Sequence, residues 1–203
     1  MENKSDQDVS FTEDKGESEF YSYKQLNAVG MINLGVKLDE AVSGVSFSEK
    51  EMARKYGLIY SFKRIAFTLD MDFPEKLIKE ELKGTDKEKG VSYVSSVSYG
   101  KVGLLIVESG TDSREVRLIV NKVIAGEPLS QEETNILSAV DVCYVYFDKD
   151  KNLQTQKGSL DVVNAYRDAI LKEKDSIYPV EFSLTNYVDH SPGTISFTFR
   201  AGE

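Results

Sequence analysis

The run from Val91 to Glu108, VSYVSSVSYGKVGLLIVE, constrains the fold more than any other part of the chain. It is rich in the β-branched and aromatic residues that suit a pleated surface. Tyr93, Val97 and Tyr99 share one face, Ser92, Ser96 and Ser98 the other, and Val94 and Ser95 change sides. This predicts a long, buried core strand. Gly100 and Gly103 mark points where the sheet bends or a neighbour comes close. A strand of that length needs a long partner, and LIYSFKRIAFTLDMDF supplies one. Leu58, Tyr60 and Phe62 have one parity, while Ile65, Phe67, Leu69 and Met71 have the other. The slip at Lys63–Arg64 predicts a bulge.

The remaining periodicities are mixed. FYSYKQLNAVG reads as a short helix closed by Gly30, and Pro74 opens another, PEKLIKEEL, before a charged loop. DSREVRLIVNKVIAG is amphipathic, with Val116, Ile119, Val120, Val123 and Ile124 on one face and Gly126 at its end. SQEETNILSAV begins with a capping box, Ser130 to Glu133. VDVCYVYFD is apolar on both faces and reads as a central strand. SLDVVNAYRDAILKEK is a second strong helix, capped by Ser159. PVEFSLTNYV and GTISFTF are strands joined through the turn residues DHSPG. Strands and helices do not alternate as in βαβ units, so the expected class is α+β with a mainly antiparallel sheet.

The polar, acidic stretch Met1–Glu19 reads as a disordered leader, with one domain following over 20–203. Such a leader is either a frayed terminus or the segment behind an export signal or lipid anchor. No signal is present in this chain. A net charge of -9 excludes a nucleic-acid partner, whose phosphates need a basic footprint, and disfavours simple electrostatic docking on anionic lipid.

No catalytic constellation emerges. Cys143 is the single cysteine and lies within an apolar strand, where a small buried hydrophobe is the default. His190 is the single histidine and lies in a turn. DKDKN at Asp148–Asn152 begins like a calcium loop but lacks the later glycine and the closing glutamate, so it reads as a solvated turn. No glycine-rich phosphate cradle is present. No enzyme activity, cofactor or metal is expected.

One segment satisfies two periods. Read as a strand, INLGVKLDEAV places Ile32, Leu34, Val36, Leu38 and Val42 on one face, with Asn33, Gly35, Lys37, Asp39 and Ser43 opposite. Read as a helix, Leu34, Leu38, Ala41 and Val45 form an apolar stripe. Both readings stay open. A transmembrane β-strand needs ~9–11 residues of such alternation.

Several stretches resemble the cholesterol-dependent (thiol-activated) cytolysins. SYVSSVSYGK, with Tyr93, Ser95, Ser96, Val97, Tyr99, Gly100 and Lys101, is similar to that family's Tyr-aliphatic-Ser-Ser-Val-Ala-Tyr-Gly-Arg/Lys strand. FKRIAFTLDMD, GVSFSEKEMARKYGLIYSFKR, DSREVRLIVNKVIAG, VDVCYVYF and YPVEFSLTNYVDHS fall in the family's order over roughly Phe20 to Phe199.

The resemblance implies a bent, mainly antiparallel sheet of four to five strands flanked by two helical clusters, about Tyr21–Lys55 and Thr155–Ser176. It implies oligomerisation by sheet-edge pairing and conversion of both clusters to membrane-inserting β-hairpins. Ile32, Leu34, Val36, Leu38 and Val42 would line the first, and Leu160, Val162, Tyr166 and Ile170 the second. Departures are clear. The chain has no tryptophan, so the family's Trp-rich cholesterol-recognition loop is absent and cholesterol binding by this chain is not expected. Asp148–Lys149 replaces the family's Gly-Gly. SFSEKEMARK and DKNLQTQKGS are too polar for ordinary lipid-facing strands, and Asn164 and Asp168 interrupt the second alternation. The expected protein is secreted or at the cell surface. It self-associates or works with a longer cytolysin partner, and membrane contact is left open for want of a receptor domain. The alternative is a non-lytic, immunity-like module that binds a cognate cytolysin through a sheet edge.

Overall fold

A computed structural model describes residues 12–38, 52–72, 78, 83–85, 90–171 and 177–194. The described elements are β1 (Thr12–Phe20), α1 (Tyr23–Leu34), β2 (Tyr56–Asp70), β3 (Ser92–Ser109), α2 (Ser113–Ala125), α3 (Gln131–Ser138), β4 (Asp141–Phe147), β5 (Leu153–Gly158), α4 (Leu160–Leu171), β6 (Tyr178–Asn186) and β7 (Pro192–Gly193). The class is α+β. The strand order is β1-β2-β3-β4-β5, with β6 on β3 and β7 on β6. The β3–β4, β3–β6, β4–β5 and β6–β7 pairs are all antiparallel.

The single domain expected over 20–203 divides into two compact units. One holds Glu13–Arg64 and Lys101–Ser176, and the other holds Met1–Thr12, Ile65–Gly100 and Ile177–Glu203. In the first, helix-bearing unit, strand alternation sorts two buried sets. Leu58, Tyr60, Phe62, Leu105, Val107, Val142 and Tyr144 form one core with Val116, Ile119, Val120 and Val123 of α2 and Val162, Val163, Tyr166 and Ile170 of α4. On the opposite parity Ile59, Leu104, Ile106, Cys143 and Val145 are buried too. β4 is central, as its two apolar faces predict. Both ends of α2 follow the sequence: Asp112 accepts the Arg114 amide at 2.9 Å, and Gly126 closes the helix at φ 78°. The Ser130–Glu133 capping box of α3 is formed in both directions.

In the second unit, residues 92–100 of β3 pair with β6, with register shifts between Val94 and Ser96 and between Ser98 and Tyr99. The first of these shifts lets Val94 and Ser95 change sides. The buried core strand is only the second half of β3. Val102 and Leu104–Val107 are buried, whereas Tyr93–Tyr99 are half-buried. Phe67 and Leu69 of β2 and Met71 just after it are exposed, and Phe67 stacks on Tyr99 at 5.0 Å. The parity slip at Lys63–Arg64 falls at the division between the units, and β2 is continuous through it.

Three expectations need correction. Part of the supposed leader, Thr12–Glu19, lies in strand β1 beside β2. Its acidic side chains are answered by arginines: Arg64 pairs with Glu13, and Arg117 with Glu17 and Glu19. Residues 1–11 lie outside the described set. The first helix does not stop at Gly30. Gly30 is buried within α1, where a Cβ would stand 2.5 Å from Leu38 Cγ, and Gly35 at φ 71° is the actual cap. The second helical cluster, expected over about Thr155–Ser176, has no helix before Leu160, because Leu153–Gly158 is strand β5, paired to β4 over six residues. The helix read from Pro74, apart from Ile78, lies outside the described residues, as does GTISFTF beyond Thr194.

Gly103 is another glycine whose place packing reserves. A Cβ there would stand 2.6 Å from the Phe62 ring and 2.9 Å from the Tyr144 ring. Gly103→Val is expected to lower stability by about 1–3 kcal/mol, because a core already filled must shift. Urea unfolding followed by tyrosine fluorescence measures this, and an unchanged midpoint contradicts it.

Candidate functional site

The candidate site is the set of helices carried on the sheet of the helix-bearing unit, together with the contacts that fasten them. α1 starts at Ser22, whose hydroxyl accepts the Gln25 amide at 3.3 Å. It buries Tyr23, Leu26, Gly30 and Leu34. The first predicted set is therefore split: Ile32 is 81% exposed, Leu34 and Leu38 are buried, and Val36 is half-buried. Val42 lies outside the described residues. Leu34 and Leu38 are both buried, but α1 ends at Leu34 and Leu38 lies beyond the Gly35 cap, so no continuous helical stripe joins them. No strand face unites Ile32 with Val36 here.

The second predicted set lies on α4. Val162, Tyr166 and Ile170 are core residues, and Leu160 packs against the same cluster. Tyr166 meets Phe62 edge-on at 5.4 Å and Tyr144 edge-on at 5.5 Å. Burial holds both its hydroxyl and that of Tyr60 well above the ordinary tyrosine range. The guanidinium of Arg64, itself buried, donates to the Ile170 carbonyl near the end of α4. The third set, Tyr93, Ser95, Ser96, Val97, Tyr99, Gly100 and Lys101, lies along β3, where all but the last belong to the second unit.

Sequence reasoning missed the polar fastenings. Glu17 and Glu19 of β1 reach α2, with Arg117 Nε 2.6 Å from Glu17 and Nη2 3.1 Å from Glu19. Ser113 donates to Glu19 at 2.8 Å, and Asn121 to Glu17 at 3.2 Å. Hydrogen bonds from Tyr21 and Ser113, with Arg117 nearby, hold Glu19 below the usual carboxylate range. On the α1 side, Tyr23 donates to Glu108 at 3.2 Å, and Arg54 pairs with Asp141 at 2.7 Å. Only the alternation of glutamates in β1 could have signalled the first of these networks.

The turn at Asp148 is closed on itself. Its carboxylate accepts from the Asp150 and Asn152 amides and from Gln154 Nε2, which holds it below the usual carboxylate range. Burial pushes the Cys143 thiol up to about 11, which removes thiolate character at neutral pH. Among the described residues no cluster of three metal-ligating side chains occurs, and no helix is long and apolar enough to cross a membrane.

Comparison with known proteins places this arrangement. Perfringolysin O of Clostridium perfringens is 25% identical over 195 residues, which cover 88% of this chain and 39% of that protein. Streptolysin O of Streptococcus dysgalactiae subsp. equisimilis is 23% identical over 183 residues, 82% of this chain and 32% of its own. A non-hemolytic pneumolysin from Streptococcus pneumoniae strain ST306 superposes with a TM-score of 0.63 at 19% identity, over 90% of this chain and 41% of its own. The chain has the fold of the cholesterol-dependent cytolysins. Listeriolysin O superposes with a TM-score of 0.58 at 21% identity, over 91% of this chain and 41% of its own. The chain spans less than half the length of the cytolysins it matches. No family model matches it.

Within this cytolysin fold the β1–α2 network has a definite pH behaviour. Because the Glu19 proton is bound more weakly in the fold than in the open chain, the network contributes stability above the ordinary carboxylate range. That contribution disappears as pH falls through the lowered value. Arg117→Gln is expected to speed amide exchange of Glu13–Glu19 several-fold near neutral pH while leaving α4 unchanged, as read by hydrogen-exchange mass spectrometry. Equal exchange in β1 of the variant and the parent contradicts the assignment.

Proposed function

We propose that this chain is a non-enzymatic cytolysin-like protein that acts outside the cell that makes it. In this reading its core sheet self-associates or joins a longer cytolysin, and its sheet-bound helices convert to transmembrane β-hairpins. One observation carries the reading. Ile32–Leu38 is the end of a helix and a turn in this structure, yet its sequence alternates at the strand period. A barrel is the end state that physics allows such hairpins, since backbone polar groups in lipid must all be paired and closure removes the edges.

Assembly with a longer partner is favoured over insertion by this chain alone. Basic side chains facing lipid near mid-bilayer cost ~2–4 kcal/mol each. SFSEKEMARK and DKNLQTQKGS carry several. With no tryptophan in the chain, recognition of cholesterol falls to the partner. The exposed Phe67, Leu69, Met71 and Phe182 of the second unit support an association surface. The second reading is a non-lytic module that binds a cytolysin through a sheet edge. It is favoured by the same polar strands, and by the presence of this fold in a pneumolysin described as non-hemolytic.

Liposome dye release with negative-stain imaging separates the two, using the chain alone and with perfringolysin O. Pore formation or co-assembly predicts rings and raised release. The module reading predicts lowered release by the longer toxin. A strict monomer without effect on either sinks both. Single-cysteine variants at Leu34 and Val36, in a Cys143→Ala background with an environment-sensitive dye, are expected to report an apolar surrounding when rings form.

A further inference from the structure

Glu108 is the next-to-last residue of β3 and is 3% exposed, yet among the described residues no cationic side chain pairs with it. Its Oε2 accepts two hydrogen bonds, from the Tyr23 hydroxyl of α1 at 3.2 Å and from the Arg54 amide at 3.2 Å. The Tyr23 hydroxyl in turn accepts the Ala53 amide at 2.8 Å. Its Oε1 is buried without a partner. Directly across the β3–β4 pair stands Asp141, a second carboxylate. The Arg54 side chain is turned to Asp141, at 2.7 Å, and gives Glu108 only its backbone amide. Tyr23 stays protonated throughout the physiological range, because burial pushes it up to about 12.

We propose that Glu108 is a proton-operated clasp that fastens the N-terminal end of α1 and residues Met52–Lys55 to the adjoining ends of β3 and β4. The ionised form has one empty buried oxygen and a like charge opposite, both unfavourable. A proton on Oε1 removes the charge and leaves Oε2 free to accept both hydrogen bonds. Burial, opposed in part by the Tyr23 and Arg54 hydrogen bonds and reinforced by Asp141, accordingly holds the Glu108 carboxyl above its usual range. A carboxyl that binds its proton more tightly in the closed state than in the open one tightens the closure as pH falls. It loosens the closure as pH rises through the raised value. The β1–α2 network has the opposite sign, since Glu19 is held below the usual range. Rising pH thus loosens α1 and Met52–Lys55 while leaving the β1–α2 network in place. The clasp does not depend on the pore-forming reading, because it is a property of the chain in solution.

The test uses the full chain. The Glu108 side-chain carbon is followed by NMR across pH. Amide exchange of α1 and of Ala53–Lys55 is measured on either side of the Glu108 midpoint so obtained and corrected for intrinsic rate. Glu108 is expected to titrate above the ordinary carboxylate midpoint. α1 protection should fall as pH rises through that midpoint, approaching tenfold for each unit of difference between the closed and open midpoints. α2 protection should stay constant. Glu108→Gln should abolish the pH dependence of α1. Should that variant not fold, Tyr23→Phe tests the same point. It removes a donor to the carboxylate, so the Glu108 midpoint should move higher still. An ordinary Glu108 midpoint, α1 protection independent of pH, or a Tyr23→Phe midpoint that stays or falls overturns the proposal.

Discussion

The helix-bearing unit is built around the gap that Gly103 leaves in the face of the sheet. With no side chain there, the rings of Phe62 and Tyr144 close over the β3 backbone. Tyr166 of α4 then meets both rings edge-on. Such aromatic pairs add ~0.5–1.5 kcal/mol each beyond the area they bury. The three rings set where α4 can lie, and Val163 and Ile170 join the same cluster as Val120 and Val123 of α2. Filling the gap would displace two rings at once and the helix resting on them, so one missing methyl group supports a whole layer.

The two faces of this sheet are held by different forces. The face under α2 and α4 is closed by aliphatic and aromatic packing. The face shared by Leu104, Ile106 and Glu108 also receives Tyr23 of α1, and there a buried carboxylate stands where a hydrocarbon would be cheaper to bury. Stability is not uniform in a fold, and elements that move are drawn from its weaker end. By that measure α1 is more readily released than α4, since its closure passes through polar contacts that respond to the solvent.

Much of this architecture was legible in the sequence, and the exceptions share a cause. The α2 stripe, the capping box of α3, the central β4 and the long β3 all follow from periodicity and end signals that act within a dozen residues. What failed depends on partners far along the chain. The acidic stretch Thr12–Glu19 looked like a leader because composition does not record Arg64 and Arg117 opposite it. Gly30 looked like a helix end because nothing local announces that Leu38 folds back against it. The clasp at Glu108 was invisible for the same reason: Tyr23, Arg54 and Asp141 are separated in sequence and meet only at the strand ends. β3 read as buried throughout because Tyr and Val are apolar wherever they sit. Whether they are covered is decided by the unit around them.

The double periodicity of Ile32–Val42 has a sharper meaning once its described part, Ile32–Leu38, is seen as the end of a helix and the turn after it. In that form Leu34 and Leu38 do the packing, and Ile32 is left in water. A lone exposed isoleucine on a helix needs no explanation, because much of any surface is apolar. But Ile32 is the residue that the helix does not use and the strand alternation does: it begins the face that continues through Leu34, Val36 and Leu38. Gly35, which ends the helix by adopting φ 71°, falls on the polar face of that strand, where a missing side chain interrupts nothing apolar. Each feature that stops the helix is thus compatible with the strand. The strand's apolar face is complete only if the helix is given up, so under the proposed conversion the residues that fasten α1, and not those that compose it, would decide which form the segment takes.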